Sequence, residues 1–421
     1  MRAVISSIGA LLISAAILLA GGGLLGTLVA VSAELHGFPL VAIGFLTSAY
    51  FAGFMAGCLI TPYLVKRVGH VRVFAALSSL VAACALMHML LINVPSWAVL
   101  RVLTGFSFAG LYMLIESWIN EQSPNDKRGQ VLSIYRMVDL AAVTVGQFLL
   151  TLGDPKDFML FSLVAILISL AIFPISLSTS KAPMAVTSTK LNIRKLIKIS
   201  PLAVMGCFAV GLSSGAFWGV APVFVKQLGH SVFMVSMFMS VVIFAGAIMQ
   251  WPMGWLSDKI GRRKALILVS IGGVISGLFL WKLAPQSLGF MMAGGALYGM
   301  FAMQIFGMAA AHANDYAQPD EFVSISGGLL LIYGVGSVIG PSIAPIVMSR
   351  AGPSSMFVYT AAVQGLLAAY GLYRLTQRDA PADSADYVPV ARPRAALLIL
   401  RSDPRNLLKR KKKSRGKVTG I

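Results

Sequence analysis

Twelve apolar runs follow one another along the 421 residues, at 5–31, 40–62, 71–92, 97–119, 130–152, 158–177, 201–224, 232–255, 265–283, 287–311, 324–348 and 354–375. Crossing a bilayer as a helix takes roughly 20 apolar residues, so each run predicts one transmembrane span. The polar punctuation after the second and eighth runs is alike. Tyr63-Leu64-Val65-Lys66-Arg67-Val68-Gly69-His70-Val71-Arg72 parallels Trp255-Leu256-Ser257-Asp258-Lys259-Ile260-Gly261-Arg262-Arg263-Lys264. Gly69 and Gly261 stand 192 residues apart, which reads as a six-helix unit duplicated in the same orientation. The expected organisation is a first bundle at 1–178, a linker at 179–200, a second bundle at 201–377 and a basic tail at 378–421. The tail's polar, charged composition predicts disorder.

Composition sharpens this reading. A hydrophobic content of 57%, 12% charged residues and a mean hydropathy of +0.82 exclude a water-soluble protein of this length. Met1-Arg2 before an apolar run resembles an export signal, but the run is too long and lacks a small-x-small exit, so it reads as the first span. Cys58, Cys84 and Cys207 lie inside apolar runs at no metal-ligand spacing and read as small buried hydrophobes. Lys and Arg concentrate in alternate loops, which predicts both termini on the cytoplasmic side. Much of the formal charge of +19 belongs to the tail, with about a third of all Lys and Arg. Its run Lys409-Arg410-Lys411-Lys412-Lys413 is either a solvated topology signal or a binder of anionic lipid headgroups. Nucleic acid is the least favoured partner, because a tethered tail meets lipid first.

Ionisable groups inside a span cost a few kcal/mol unless they meet water or a partner, so the few present are candidates for function. Arg101 lies about one turn in from the outer end of the fourth span and Glu116 near its inner end. Asp139 lies roughly 13 Å along the fifth span, at about 1.5 Å per residue, and shares a helical face with Arg136, three residues before it. Asp139 is expected either to carry a proton or substrate contact or to form a static ion pair with Arg136. Glu116 is expected to act in transport, or else to snorkel or pair with Arg128. Arg101 has a functional and a structural reading. The five histidines are scattered without HExxH spacing, and there is neither a GxxxxGK[ST] loop nor a nucleophile elbow, so no enzyme, metal or cofactor is expected.

The second polar loop resembles the best-known motif of the major facilitator superfamily, glycine-x-leucine-x-aspartate-x-x-glycine followed by basic residues. It matches at Gly254, Leu256, Asp258, Gly261, Arg262, Arg263 and Lys264. The first copy departs, with Pro62 in place of the glycine and Lys66 in place of the aspartate. Arg101 and Gly105 resemble the arginine-x-x-x-glycine core of the family's second motif, and Ile115-Glu116-Ser117-Trp118-Ile119-Asn120-Glu121 is similar to the YcaD-like bacterial branch. The glycine-proline pair that drug/proton antiporters carry in the fifth span is absent. Gly146-Gln147 stands there, and Gly340-Pro341 stands at the equivalent point of the eleventh span, so drug efflux loses weight.

Over residues 1–378 the resemblance implies an all-α membrane protein of the major facilitator fold, two parallel six-helix repeats rocking about a midplane cavity. It further implies a monomer in the bacterial cytoplasmic (inner) membrane that moves a small-molecule substrate without a cofactor. In that fold the fifth, seventh, tenth and eleventh spans line the cavity, so Gln147, Trp218, Gln304 and Tyr333 are candidates to hydrogen-bond substrate, against a plain packing role. At the cytoplasmic gate, Asp258 is expected to meet the start of the fifth span and Arg128, where a helix N-terminus favours an anion. Lys66 cannot make the equivalent contact. With Arg67 it is expected either to reach Asp320 or Glu321, in the loop that also holds Asp315, at no more than about 1 kcal/mol per exposed pair, or only to enforce topology. The function expected is secondary transport by alternating access, coupled to protons. The alternative is a non-transporting sensor or scaffold acting through the basic tail.

Overall fold

The computed structural model describes residues 2–123, 128–177, 193–316 and 322–377, and among them it contains helices and no strands. The first bundle is built from α1 (Arg2–Leu35), α2 (Leu40–Val68), α3 (His70–Leu90), α4 (Val94–Gln122), α5 (Arg128–Leu149) and a sixth span made of α6 (Phe158–Leu170) and α7 (Ile172–Ser176). A short helix, α8 (Ile193–Ile199), lies in the linker. The second bundle follows as α9 (Pro201–Gln227), α10 (Val232–Ile260), α11 (Arg262–Leu283), α12 (Leu288–Ala302) with α13 (Ile305–Asp315), α14 (Phe322–Ala351) and α15 (Met356–Leu375). Among the described residues, twelve helical segments are long and apolar enough to cross a membrane.

Local sequence explains where these helices start. Asn93 accepts from the Ser96 amide at 2.9 Å ahead of Pro95, and its repeat counterpart Ser287 accepts from the Phe290 amide at 3.2 Å. Ser200, just before Pro201, caps α9 in the same way. The tenth span is broken at Met303–Gln304 instead of running as one helix.

The polar motifs after the second and eighth spans are not loops, as their composition led one to expect. Both helices continue through Pro62 and Pro252 to the motif's end, and a single residue, Gly69 or Gly261, joins each to the next helix. These glycines hold φ of +86° and +88°, and their amides close the preceding helix onto Val65 and Ser257. A methyl group at either would meet no neighbour, so the requirement is one of backbone alone. Gly261→Ala is expected to lower stability by about 1–3 kcal/mol, read as a fall in the thermal midpoint of the purified protein in detergent.

The duplication extends to packing. Gly105 of α4 abuts the Tyr50 carbonyl of α2, and its counterpart Gly299 abuts the Val242 carbonyl of α10. Gly146 of α5 meets the Ala20 carbonyl, and Gly340 of α14 meets that of Leu212. Small residues at equivalent positions thus let equivalent backbones approach closely. The bundles touch through α2 with α14, α5 with α10 and α1 with α9. Calling the end with Gly69 and Gly261 the basic end, the described contacts run from mid-height to the opposite, far end. They include Ser48 to Ser342 at 2.8 Å, Ser236 to the Gln147 carbonyl at 2.6 Å, and Thr47 against Gly219. One hydrophobic cluster accordingly joins the first bundle to the far-end half of the second, while the basic-end half of the second bundle keeps a cluster of its own.

Candidate functional site

A cavity opens near mid-height, walled by α1, α2, α4 and α5 and closed on one side by Trp218 of α9. Its volume is about 50 Å³, room for a few waters. Arg101 reaches it from α4, only 6% exposed, with its guanidinium carbon 4.3 Å from the centre of the Tyr50 ring. Phe51 and Phe108 complete an aromatic wall. On α1, Gly22 and Gly23 leave room: a methyl at Gly22 would press on Tyr112 and Phe108. Gln147 also lines the cavity, but its side chain is engaged. It accepts from the Thr27 hydroxyl at 2.7 Å and donates to the Gly23 carbonyl at 3.2 Å, tying α5 to α1.

A second constellation lies nearer the basic end of the first bundle. Glu116 does not snorkel to the surface, one of the readings its place in the sequence allowed: it is buried, and it accepts a hydrogen bond from the Tyr135 hydroxyl. Arg136 Nη1 stands 3.4 Å from Asp139 Oδ2, and both charges act on Glu116. Asp139 is buried, whereas the Arg136 side chain keeps 22% of its surface exposed. The α4–α5 pairing therefore gathers two carboxylates, one guanidinium and one phenol, with Cys58 of α2 beside Glu116.

The remaining candidates go elsewhere. Gln304, at the break in the tenth span, donates to the Gly246 carbonyl at 2.8 Å, and Tyr333 packs edge-on to Phe306 in the second bundle's own cluster. Neither lines the cavity at Arg101. At the basic end, Asp258 pairs with Arg262 at 2.6 Å. Asp315 is not in an open loop but ends α13, where Arg262 Nε holds it at 3.4 Å. Arg263 hydrogen-bonds the Tyr316 hydroxyl. This ladder ties α10, α11 and α13 together. Lys66 and Arg67 are exposed, while Asp320, Glu321 and the Arg128 side chain lie outside the described residues. Sequence reasoning missed Tyr50, Thr27 and Tyr135. Tyr135 was the legible one, one turn from Asp139 and adjacent to Arg136, whereas Tyr50 and Thr27 carry no local signal.

A twelve-span, twofold-repeated helical fold around a mid-height cavity defines a membrane transporter. A profile of the Major Facilitator Superfamily matches the chain twice, over residues 11–204 and 203–408, and the chain belongs to that superfamily. It is a multi-pass membrane transporter and not an enzyme. Among its relatives, the MFS-type transporter YcaD of Escherichia fergusonii is 29% identical over 344 residues, covering 80% of this chain and 88% of the relative. A mutant form of the nucleoside transporter NupG shares the fold with a TM-score of 0.76 at 13% identity, over 88% of this chain and 99% of that one. An inward-facing bacterial homologue of the human lysosomal transporter Spinster does so with a TM-score of 0.72 at 14% identity, over 90% and 99%.

Proposed function

We propose that the protein moves a small solute by alternating access and couples that movement to protons. The observation that carries this reading is the buried Glu116–Tyr135–Arg136–Asp139 cluster. Two carboxylates against one guanidinium leave one negative charge uncompensated, and a membrane interior tolerates that poorly, so one proton completes the cluster. On α5 the cluster lies close to the cavity, since Asp139 comes one turn before Val143, which lines it. With the basic end in the cytoplasm, as the alternation of Lys and Arg favours, the bundles are joined on the outer side and the arrangement is inward-facing.

In the outward-facing arrangement the basic ends close. Asp258 then meets the start of α5 and Arg128, and Lys66 and Arg67 meet Asp320 or Glu321. The units that rock are 1–178 and 201–377, linked by 179–200, in a monomer of the bacterial inner membrane. The tail at 378–421 rests on anionic headgroups of the cytoplasmic leaflet. A scaffold that acts only through its tail has no use for a buried charge cluster, and that reading gains nothing from the cavity.

Inside-out and right-side-out vesicles with an imposed pH gradient test the proposal on a library of solutes. Flux that follows the gradient is expected. Flux that ignores it removes proton coupling and leaves facilitated diffusion, whereas no flux of any solute in either orientation removes transport.

A further inference from the structure

The far end of the molecule holds a pair of charges that belongs neither to the cavity nor to the Glu116 cluster. Gly37 and Gly229 stand 192 residues apart, the interval that also separates Gly69 from Gly261. They follow the ends of α1 and α9 with φ of +78° and +84°. The Gly37 amide donates to the Glu34 carbonyl and the Gly229 amide to that of Lys226, each at 2.9 Å, and the next amides, of Phe38 and His230, close onto Ala33 and Val225. Glu34 and Lys226 are therefore equivalent positions of the two repeats, and they carry opposite charges. Resting on the alternating-access reading, we infer that Glu34 and Lys226 form a latch between the bundles, attracting each other while the far end is closed and parting when it opens.

Helices α1 and α9 pack against each other, and equivalent positions of two packed, repeat-related helices face one another. Identical ionised residues there would repel, whereas opposite charges attract. Both side chains are half-buried, and Lys226 is the charge that acts on Glu34. Glu34 Oε2 is shut off from solvent and accepts no hydrogen bond among the described residues, so the field of a nearby ammonium offsets its lost hydration. Lys226 Nζ donates to the His230 carbonyl at 3.2 Å, which steadies it and leaves further N–H groups for a carboxylate. His36 turns instead to the Ser32 carbonyl and the Trp97 ring within the first bundle. The other described charges of the far end, Asp154, Lys156 and Asp157 between the fifth and sixth spans, Lys282 on α11 and Arg350 on α14, are carried by other elements. The pair also stands over the cavity. Glu34 comes seven residues after the lining Thr27 and Lys226 eight after the lining Trp218, about 10–12 Å at about 1.5 Å per residue. A route from the cavity to the far side therefore passes between them. Opening that route admits water, whose high dielectric weakens the attraction, so the pair favours the closed arrangement.

The equivalence of the two positions supplies the test, because the charges can be exchanged. The full-length protein in vesicles carries a cysteine at Gly26, which lines the cavity, after the three native cysteines are replaced, and a membrane-impermeant maleimide is added from the far side. Glu34→Lys and Lys226→Glu each place like charges across the seam, and each is expected to speed labelling about fivefold or more. The double variant that carries both substitutions restores an opposite pair and is expected to return labelling close to the parent rate. Glu34→Gln and Lys226→Gln are expected to act in the same direction as the reversals and by less, so they decide the matter if a reversed variant fails to fold. Labelling unchanged in the single variants, or a double variant labelled as fast as the singles, overturns the latch. Labelling needs neither solute nor gradient. Absence of flux for every solute with this labelling pattern intact therefore overturns the transport reading alone, and gradient-following flux with labelling indifferent to the substitutions overturns the latch alone.

Discussion

Asp139→Asn is expected to abolish accumulation driven by a pH gradient while leaving solute exchange across the membrane intact. With Asp139 and Glu116 both present, the cluster holds two carboxylates against Arg136. Removing one leaves a pair of equal and opposite charges that is neutral without a proton, so no proton needs to join or leave during the cycle. One pH unit of gradient is worth about 1.4 kcal/mol per proton, or a tenfold accumulation ratio, and this is what the variant loses. Glu116→Gln is expected to behave the same way, for the same reason. Replacing both carboxylates strands the Arg136 guanidinium and destabilises the fold by about 3–5 kcal/mol, as breaking buried ion pairs does. Proteoliposomes with a one-unit gradient, compared with counterflow in its absence, make the measurement. If Asp139→Asn still accumulates solute and only melts earlier, the pair with Arg136 is static.

The second large effect concerns the seam at the far end. Gly44 of α2 packs against the Pro341 carbonyl and the Pro345 ring of α14, a contact between bundles with no space for a side chain. Gly44→Leu is expected to hold the far end apart, favouring the outward-open arrangement and stopping transport, while each bundle keeps its own packing. Overpacking costs about 1–3 kcal/mol, which displaces a two-state equilibrium by roughly 5- to 150-fold. The measurement uses a cysteine at Gly26, which lines the cavity and whose added Cβ meets nothing within 4 Å, after the three native cysteines are replaced. A membrane-impermeant maleimide from the far side is expected to label it faster in the Gly44→Leu background, and from the basic side more slowly. Unchanged labelling from both sides removes Gly44 from the seam.

Much of the architecture was legible in one dimension. Helix periodicity matters little for a span, since nearly every side is apolar. Run length and punctuation were enough to set the twelve crossings, and the paired motifs at Gly69 and Gly261 exposed the duplication. Charge separations along one helix were legible too: Arg136 and Asp139, three apart, do face one another. Contacts between helices were not. Gln304 and Tyr333 sit on spans of the expected kind, yet rotation about the helix axis turns them into the second bundle. Asp315 read as part of a loop because nothing local shows that α13 extends to it and that Arg262 is waiting there.

By itself, then, the order of residues determined that this chain spans a membrane twelve times in two like halves, because hydrophobic length and positive charge act segment by segment. Which side chains gather around Glu116, which residues line the cavity and where the two bundles meet were decided only in three dimensions. Those properties depend on the angle at which one helix meets another and on glycines whose missing side chains let carbonyls approach, as Gly44 does at the seam. Distances of that kind link residues a hundred or more positions apart, as between Thr27 and Gln147, and no local pattern records them.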